Sequence, residues 1–313
     1  MGAQELTGGG RAAGAAALDT SYDPFSREPA YVELNRQFVR SLGLGAGIRI
    51  LDLACGTGTL TQLLLEETPG GASVLGMDLS RTSLALARRR LFGDGALPQR
   101  AARVRLVAAT ADALPVRDRS ADAVLMGNAI HYFKDPGRLL AEVRRVLRPG
   151  GLFAFNTSFY AGTFVPGTER FYEEWVKEAF RFLLARDAEE RRQGRPGLLR
   201  TRGLRGEAPF SRRWPSPAEY SGTLEAHGFA VRSHHLRTAL MTRSSFEAIG
   251  AYEGCAAALL SGYPVALAGE ALARSAAPVL EACGRETVPR QWLEMTAIRS
   301  GGDAGAGGGD ASI

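Results

Sequence analysis

The sequence predicts a doubly wound α/β fold: a mostly parallel sheet of about seven strands, with a mainly helical cap. Two observations carry the prediction. Short apolar runs alternate with helix-patterned segments from residue 48 to residue 158. The first of those runs, IRILDLA at 48–54, stops at the turn Cys55-Gly56-Thr57-Gly58, from which a helical pattern departs. A strand that ends in a glycine turn opening a helix is the first half of a βαβ unit, and repetition of that unit builds a parallel sheet covered on both faces.

The elements follow in order. Tyr31, Leu34, Phe38, Val39 and Leu42 recur at helical spacing, so 28–42 is an amphipathic helix. After the 48–54 strand, TLTQLLLEE is a helix, SVLGMDLS (73–80) a second strand and TSLALARRRLF (82–92) a second helix. Further strands are VRLVAAT (104–110), ADAVLMGN (121–128) and GLFAFNTS (151–158). The helix PGRLLAEVRRVL (136–147) opens on a proline and is followed by Pro149-Gly150. Beyond Ser158 the alternation stops, and aromatic residues mix with arginines to about residue 215. SPAEYSGTLEAHG resumes as a helix capped by Ser216 and ended at Gly228, with His227 at its end, and FAVRSHHLRTAL (229–240) is a strand. Residues 244–284 form two or three helices, and QWLEMTAIR (291–299) is a last strand. On the 229–240 strand, alternation places one of His234 and His235 partly buried and the other in solvent.

This order divides the chain into a core at 21–158, 216–243 and 285–300, with cap insertions at 159–215 and 244–284. The Gly- and Ala-rich ends, 1–20 and 301–313, are expected to be mobile tails.

Composition removes other classes. Charged residues make up 23% of the 313 and mean hydropathy is −0.09, values of a globular chain. Cys55, Cys255 and Cys283 form no C-x-x-C pair, so neither a disulfide scaffold nor a metal site is expected. Cys55, inside the turn, is expected to be packed rather than reactive. No apolar run reaches the roughly 20 residues of a membrane span, and the first residues lack a signal peptide's apolar stretch. A cytoplasmic protein is expected.

All but two of the 38 basic residues are Arg, the exceptions being Lys134 and Lys177. Their excess is local: residues 181–213 hold ten arginines against four acids. Two readings stay open for that stretch. It is a solvated face, or it is an anion site for a diphosphate, a carboxylate or an acyl carrier protein. No nucleic-acid partner is expected, because the aromatic residues precede the arginines instead of interleaving with them.

The chemistry concentrates at 51–59. Asp78 ends the second strand twenty residues after Gly58, where a carboxylate can accept from two ribose hydroxyls. A dinucleotide site wants a third glycine, yet Thr61 stands there. Asp52, just before the turn, is a poor neighbour for pyrophosphate and suits an amine-bearing ligand. A dinucleotide oxidoreductase is thereby disfavoured.

ILDLACGTG, VLGMDLS, ATADALPVRDRSADAV and GNAIHYFKDPGRLLAEVRRVLRPGGLFAF, in that order, resemble motifs of the class I S-adenosylmethionine-dependent methyltransferases. The likeness is to the small-molecule branch related to the ubiquinone/menaquinone enzymes. It covers about 28–158 and, loosely, 216–299; neither insertion is included. The resemblance implies a Rossmann-like sheet of strand order 3-2-1-4-5-7-6 and S-adenosyl-L-methionine as cofactor. It also implies roles for residues. Asp52, Ala54, Gly56 and Gly58 line the methionine and ribose portion; Asp78 holds the ribose and Leu79 packs on adenine. Asp112, with Ala113 beside it, accepts from the adenine amine, and Asn128 and Ala129 close the pocket near the methyl.

His131, just past the fourth strand, is the candidate general base. Tyr22, Tyr132, Tyr160, Phe164 and Trp175 are candidate acceptor contacts. The loop at 128–131 lacks the Asp/Asn-Pro-Pro-Tyr/Phe pattern of exocyclic-amine methylases, and no metal is expected. A small, largely apolar acceptor (a polyketide, terpenoid, quinone or acyl chain) fits the aromatic content of the insertions. A cofactor-binding protein without turnover is the alternative of another class.

Overall fold

A computed structural model describes residues 21–93, 102–133, 135–198 and 213–301. The tails expected to be mobile lie outside these residues, apart from Gly301.

The chain opens with a four-residue helix, α1 (Asp23–Ser26), and α2 (Pro29–Ser41). Then come β1 (Arg49–Leu53), α3 (Thr59–Glu67), β2 (Ser73–Asp78), α4 (Arg81–Phe92), β3 (Val104–Ala108) and β4 (Ala121–Gly127). A 3-10 turn at Ile130–Tyr132 leads to α5 (Gly137–Val146) and β5 (Leu147–Thr157). The rest comprises α6 (Glu169–Arg192), α7 (Pro217–Ala226), β6 (Phe229–Thr242), α8 (Arg243–Ala251), α9 (Glu253–Leu259), α10 (Val265–Ala282) and β7 (Thr287–Arg299).

The seven strands form one sheet in the order β3-β2-β1-β4-β5-β7-β6, in which β7 runs antiparallel to both its neighbours. The strand order implied by the resemblance is therefore the observed one. Its central strands are buried on both faces, as β1 and β4 show, which is why they read as continuous apolar runs. Alternation sorts their side chains. Ile50, Val74, Leu125 and Ala154 meet α2, α3 and α4, whereas Leu51, Leu53, Phe153 and Phe155 meet α5 and α7. Asp52 and Asn156 lie in the same alternation as Ile50 and Ala154, so both reach toward the first helical layer.

A second core joins the insertions. Phe171, Trp175 and Leu183 of α6 pack with Phe246 of α8 and with Leu272 and Ala276 of α10, and Phe25 of α1 enters the same cluster. Trp175 donates from Nε1 to the Leu272 carbonyl at 2.8 Å.

Several boundaries differ from expectation. β5 starts at Leu147 and carries Pro149-Gly150 within it, accommodated by a register shift opposite Ala121 and Ala123. β7 begins at Thr287 rather than at 291. The expected alternation at His234 and His235 is not found: both are exposed. They sit on β6, the edge strand, past a register shift between Val231 and Ser233. His227 does lie at a helix end, with Nδ1 2.7 Å from the Thr223 carbonyl.

Gly58 caps α3 with φ +84°, and a Cβ added there would stand 3.1 Å from the Ala87 Cβ on α4. Its task is close approach of two helices. Gly58→Ala is expected to cost about 1–3 kcal/mol in urea unfolding. A loss below about 0.5 kcal/mol would show that the turn relaxes instead.

Candidate active site

The parallel strands reverse direction of winding between β1 and β4, and a cavity opens at their carboxyl ends, the location such sheets reserve for ligands. Its volume is about 1060 Å³. That is the upper end of small-molecule sites, room for a nucleoside-sized ligand and a second molecule beside it. Two non-glycine residues of its lining, Ala54 after β1 and Asn128 after β4, hold left-handed φ of 53° and 49°. Each conformation costs on the order of 1 kcal/mol, and strain of this kind gathers where a ligand needs backbone at a fixed place.

Three acids line the cavity from three neighbouring strands: Asp52 on β1, Asp78 ending β2 and Asp112 after β3. Asp78 also shapes the turn, accepting from the Gly56 amide and the Ser80 amide at 2.8 Å each. The loop bearing Asp112 is held by α5. Arg145 donates to the carbonyls of Leu114 and Val116, and Glu142 accepts from the Leu114 amide at 2.7 Å. Leu79, 72% exposed, offers an apolar face between these acids.

Asp52 is wholly buried. Its Oδ2 accepts from the Thr61 hydroxyl at 2.6 Å, and its Oδ1 has no hydrogen-bond partner among the described residues. Burial raises its pKa to about 7; the Thr61 hydrogen bond opposes the shift and the Asp78 charge adds to it. A buried carboxylate oxygen without a donor calls for one. Asp52, Asp78 and Asp112 thus stand as three acceptors along successive strand ends.

A hydrogen-bonded chain fixes the other end. Asn128 Oδ1 accepts from the Ser158 amide at 2.9 Å and from its hydroxyl at 3.1 Å, and Asn128 Nδ2 donates to the Tyr22 hydroxyl at 3.2 Å. The Asn128 amide donates to Asn156 Oδ1, whose Nδ2 donates to Asn35 Oδ1 on α2, both at 2.9 Å. Tyr132 and Tyr252 hydroxyls meet at 3.1 Å, and Tyr22 stands edge-on to Tyr252 with ring centroids 5.2 Å apart.

Of the residues singled out from sequence, Asp52, Ala54, Gly56, Asp78, Leu79, Asp112, Asn128, Ala129, Tyr22 and Tyr132 all line this cavity. Gly58 and Ala113 do not; Gly58 faces α4. Tyr160 and Trp175 are buried in the two cores, and Phe164 packs by Tyr172 and Trp214. His131 lines a separate cavity of about 340 Å³, with Trp214 and Tyr220, on the far side of the 3-10 turn. There it lies 3.8 Å, centroid to centroid, from the Phe159 ring, its Nδ1 3.5 Å from Thr157 Oγ1. Cys55 is packed, and burial pushes its thiol pKa up, so it is not a nucleophile.

The sequence reading missed Tyr252, Ser158, Asn156 and Asn35. Only Tyr252 had a signal, its place between two helical patterns. The arginines at 181, 186, 191, 192 and 195 are paired with acids on or beside α6, mostly at i±3 and i±4, and none lines the large cavity. Arg200, Arg202, Arg205 and Arg212 lie outside the described residues. Among the described residues no helix is long and apolar enough to cross a membrane, and no three His, Cys, Asp or Glu side chains gather as a metal site.

Fold and site together define a Rossmann-like sheet with a nucleoside-sized cavity at its switch point. A methyltransferase domain family matches residues 51–155. The ubiquinone/menaquinone biosynthesis C-methyltransferase UbiE of Methylobacterium nodulans is 32% identical over 188 residues, which are 60% of this chain and 68% of that protein. The demethylmenaquinone methyltransferase of Clavibacter sepedonicus is 32% identical over 205 residues, 64% of this chain and 73% of that one. The YcgJ protein of Bacillus subtilis shares the fold, with a TM-score of 0.52 at 17% identity over 86% of this chain and 100% of that one. The chain belongs to the S-adenosylmethionine-dependent methyltransferase family that includes the ubiquinone/menaquinone enzymes. It is a methyltransferase, and its cofactor is S-adenosyl-L-methionine.

Proposed function

We propose that the acceptor is a small, largely apolar ring bearing hydroxyl groups, of the quinol or phenol type, methylated on carbon or oxygen. One observation carries the reading. Past Asn128 the cavity is walled by Tyr22, Tyr31, Tyr132, Phe133 and Tyr252, and among the described residues every charged side chain that lines it is a carboxylate. Aromatic walls suit a flat apolar ring, and hydroxyls at their ends suit its oxygens. An anionic acceptor, such as a diphosphate or a carrier-bound thioester's phosphopantetheine, meets no cation there among the described residues. The names of the relatives, which specify quinones, point the same way.

The cofactor, when bound, supplies an electrophilic methyl group on a sulfonium. The chain supplies orientation, exclusion of water and hydrogen-bond donors. Burial raises the pKa of Tyr22, Tyr31 and Tyr252, so these hydroxyls remain protonated at neutral pH. They therefore act as donors, not bases, and can stabilise an acceptor oxygen as negative charge builds on it. Under this reading the acceptor's own ionised hydroxyl activates the nucleophile, and Asp52, Asp78 and Asp112 hold the cofactor.

Incubation with S-adenosylmethionine and 1,4-naphthohydroquinone, read by mass spectrometry, is expected to give a methylated ring and S-adenosylhomocysteine. Tyr252→Phe should raise KM for that acceptor about 3- to 10-fold, the loss of one hydrogen bond. Methylation of an amine or a phosphorylated acceptor, with none of hydroxylated rings, would sink the proposal.

A further inference from the structure

We infer that Arg90 is a positioning residue for methyl transfer: by clamping α1 to the glycine turn and to α3, it fixes Tyr22 at the acceptor end of the cavity. The inference rests on the acceptor end assigned above.

A four-residue helix has no stability of its own, so α1 stays in place through its side chains. On one side Phe25 enters the core of the insertions, and the Glu28 carboxylate just beyond α1 accepts from the hydroxyls of Ser244 and Ser245 at 2.8 and 3.0 Å. On the other side the anchor is a buried polar knot. Arg90, on α4, has a side chain only 9% exposed. Its Nη2 donates to Asp23 Oδ1 and to the Ser26 hydroxyl, each at 2.9 Å, and its Nη1 donates to the Thr59 hydroxyl at the start of α3. The Ser26 and Thr57 hydroxyls meet at 2.8 Å, and the Thr59 hydroxyl donates to the Ser26 carbonyl at 3.1 Å. One planar guanidinium thus joins α1, α3 and α4 around the turn, a geometry that a lysine's single ammonium does not reproduce.

The consequence lies one residue away. Tyr22 immediately precedes Asp23, and its hydroxyl meets Asn128 while its ring meets Tyr31 and Tyr252. The carboxylates of Asp78 and Asp112, by contrast, are placed by β2, β3 and α5. Arg90 therefore sets the acceptor wall, and Asp78 and Asp112 do not depend on it.

Hydrogen exchange tests this without any acceptor. In Arg90→Met the amides of 22–28 should lose protection by about 30-fold or more, while those of α2 keep theirs. Calorimetry with S-adenosylhomocysteine should show its Kd within about threefold of the parent value, and kcat/KM for 1,4-naphthohydroquinone should fall about tenfold or more. Arg90→Lys should recover part of both losses. In a Tyr22→Ala background, Arg90→Met should change kcat/KM by less than about threefold, since its effect passes through Tyr22. Unchanged protection at 22–28, an equal loss of S-adenosylhomocysteine affinity, or full additivity with Tyr22→Ala would each overturn the inference. If naphthohydroquinone proves not to be a substrate, the acceptor reading fails, while exchange and calorimetry still decide the role of Arg90.

Discussion

Asp78→Ala is expected to weaken S-adenosylhomocysteine binding about 100-fold, the loss of at least two charge-assisted hydrogen bonds. The carboxylate does two jobs at once. Each oxygen already takes one backbone amide, from Gly56 and from Ser80, so the acid fixes the turn that borders the cavity. Under the proposed reading each oxygen also accepts from a ribose hydroxyl, since a carboxylate accepts at about four sites. Asp78→Asn separates the jobs: one end can still accept, the other becomes a donor facing donors. Its affinity should fall nearly as far as that of the alanine variant, with a smaller loss of melting temperature. Calorimetry would refute the assignment if either variant bound S-adenosylhomocysteine within about threefold of the parent.

The parts of this site that the sequence disclosed are those in which backbone geometry and chemistry share a few consecutive residues. Gly56, Gly58 and Asp78 announce a strand, a turn and an acid at fixed separations, because the βαβ unit has a nearly fixed length. Within the turn, Gly58 serves the contact with Ala87, while Ala54 and Gly56 line the cavity. His131 and Tyr132 show the resolution limit of sequence. Neighbours on a tight turn point to opposite sides, so Tyr132 enters the large cavity and His131 the small one. Asn35 and Asn156 carry no local signal, since their partnership spans 121 positions and exists only after the sheet has formed. Tyr252 meets Tyr132 across 120 positions for the same reason.

The arginine-rich stretch is, on α6, a matter of local spacing. Lys177 and Arg181 pair with Glu174 and Glu178, and Arg191 with Asp187, at spacings of three and four that the sequence already contained. On an exposed helix such pairs neutralise one another and contribute little each. Of the two readings left open, the solvated face describes the arginines on α6 and just after it.

Affinity for S-adenosylhomocysteine should rise about tenfold between pH 6 and pH 8, because Asp52 must be ionised to receive the ligand's ammonium. With its pKa at about 7, roughly a tenth of the carboxylate is ionised at pH 6 and nearly all at pH 8. The ligand-free protein should show the opposite slope in stability. The folded-state pKa lies above the ordinary aspartate value, so the unfolded chain releases this proton first as pH rises. The stabilisation attached to the neutral acid is complete below about pH 4, declines through the window up to about pH 7 and is flat beyond it, about 4 kcal/mol at most. Ligand and protein thus pull on one proton in opposite directions: binding releases it, and the rise in melting temperature on adding S-adenosylhomocysteine should grow from pH 6 to pH 8. Asp52→Asn keeps the buried group neutral and the Thr61 hydroxyl supplied with an acceptor. It should remove both slopes, leave the ligand-free protein more stable at pH 8 than the parent, and bind the ligand weakly at every pH. A ligand-induced shift in melting temperature that stays the same across this range in the parent would show that Asp52 does not hold the ammonium.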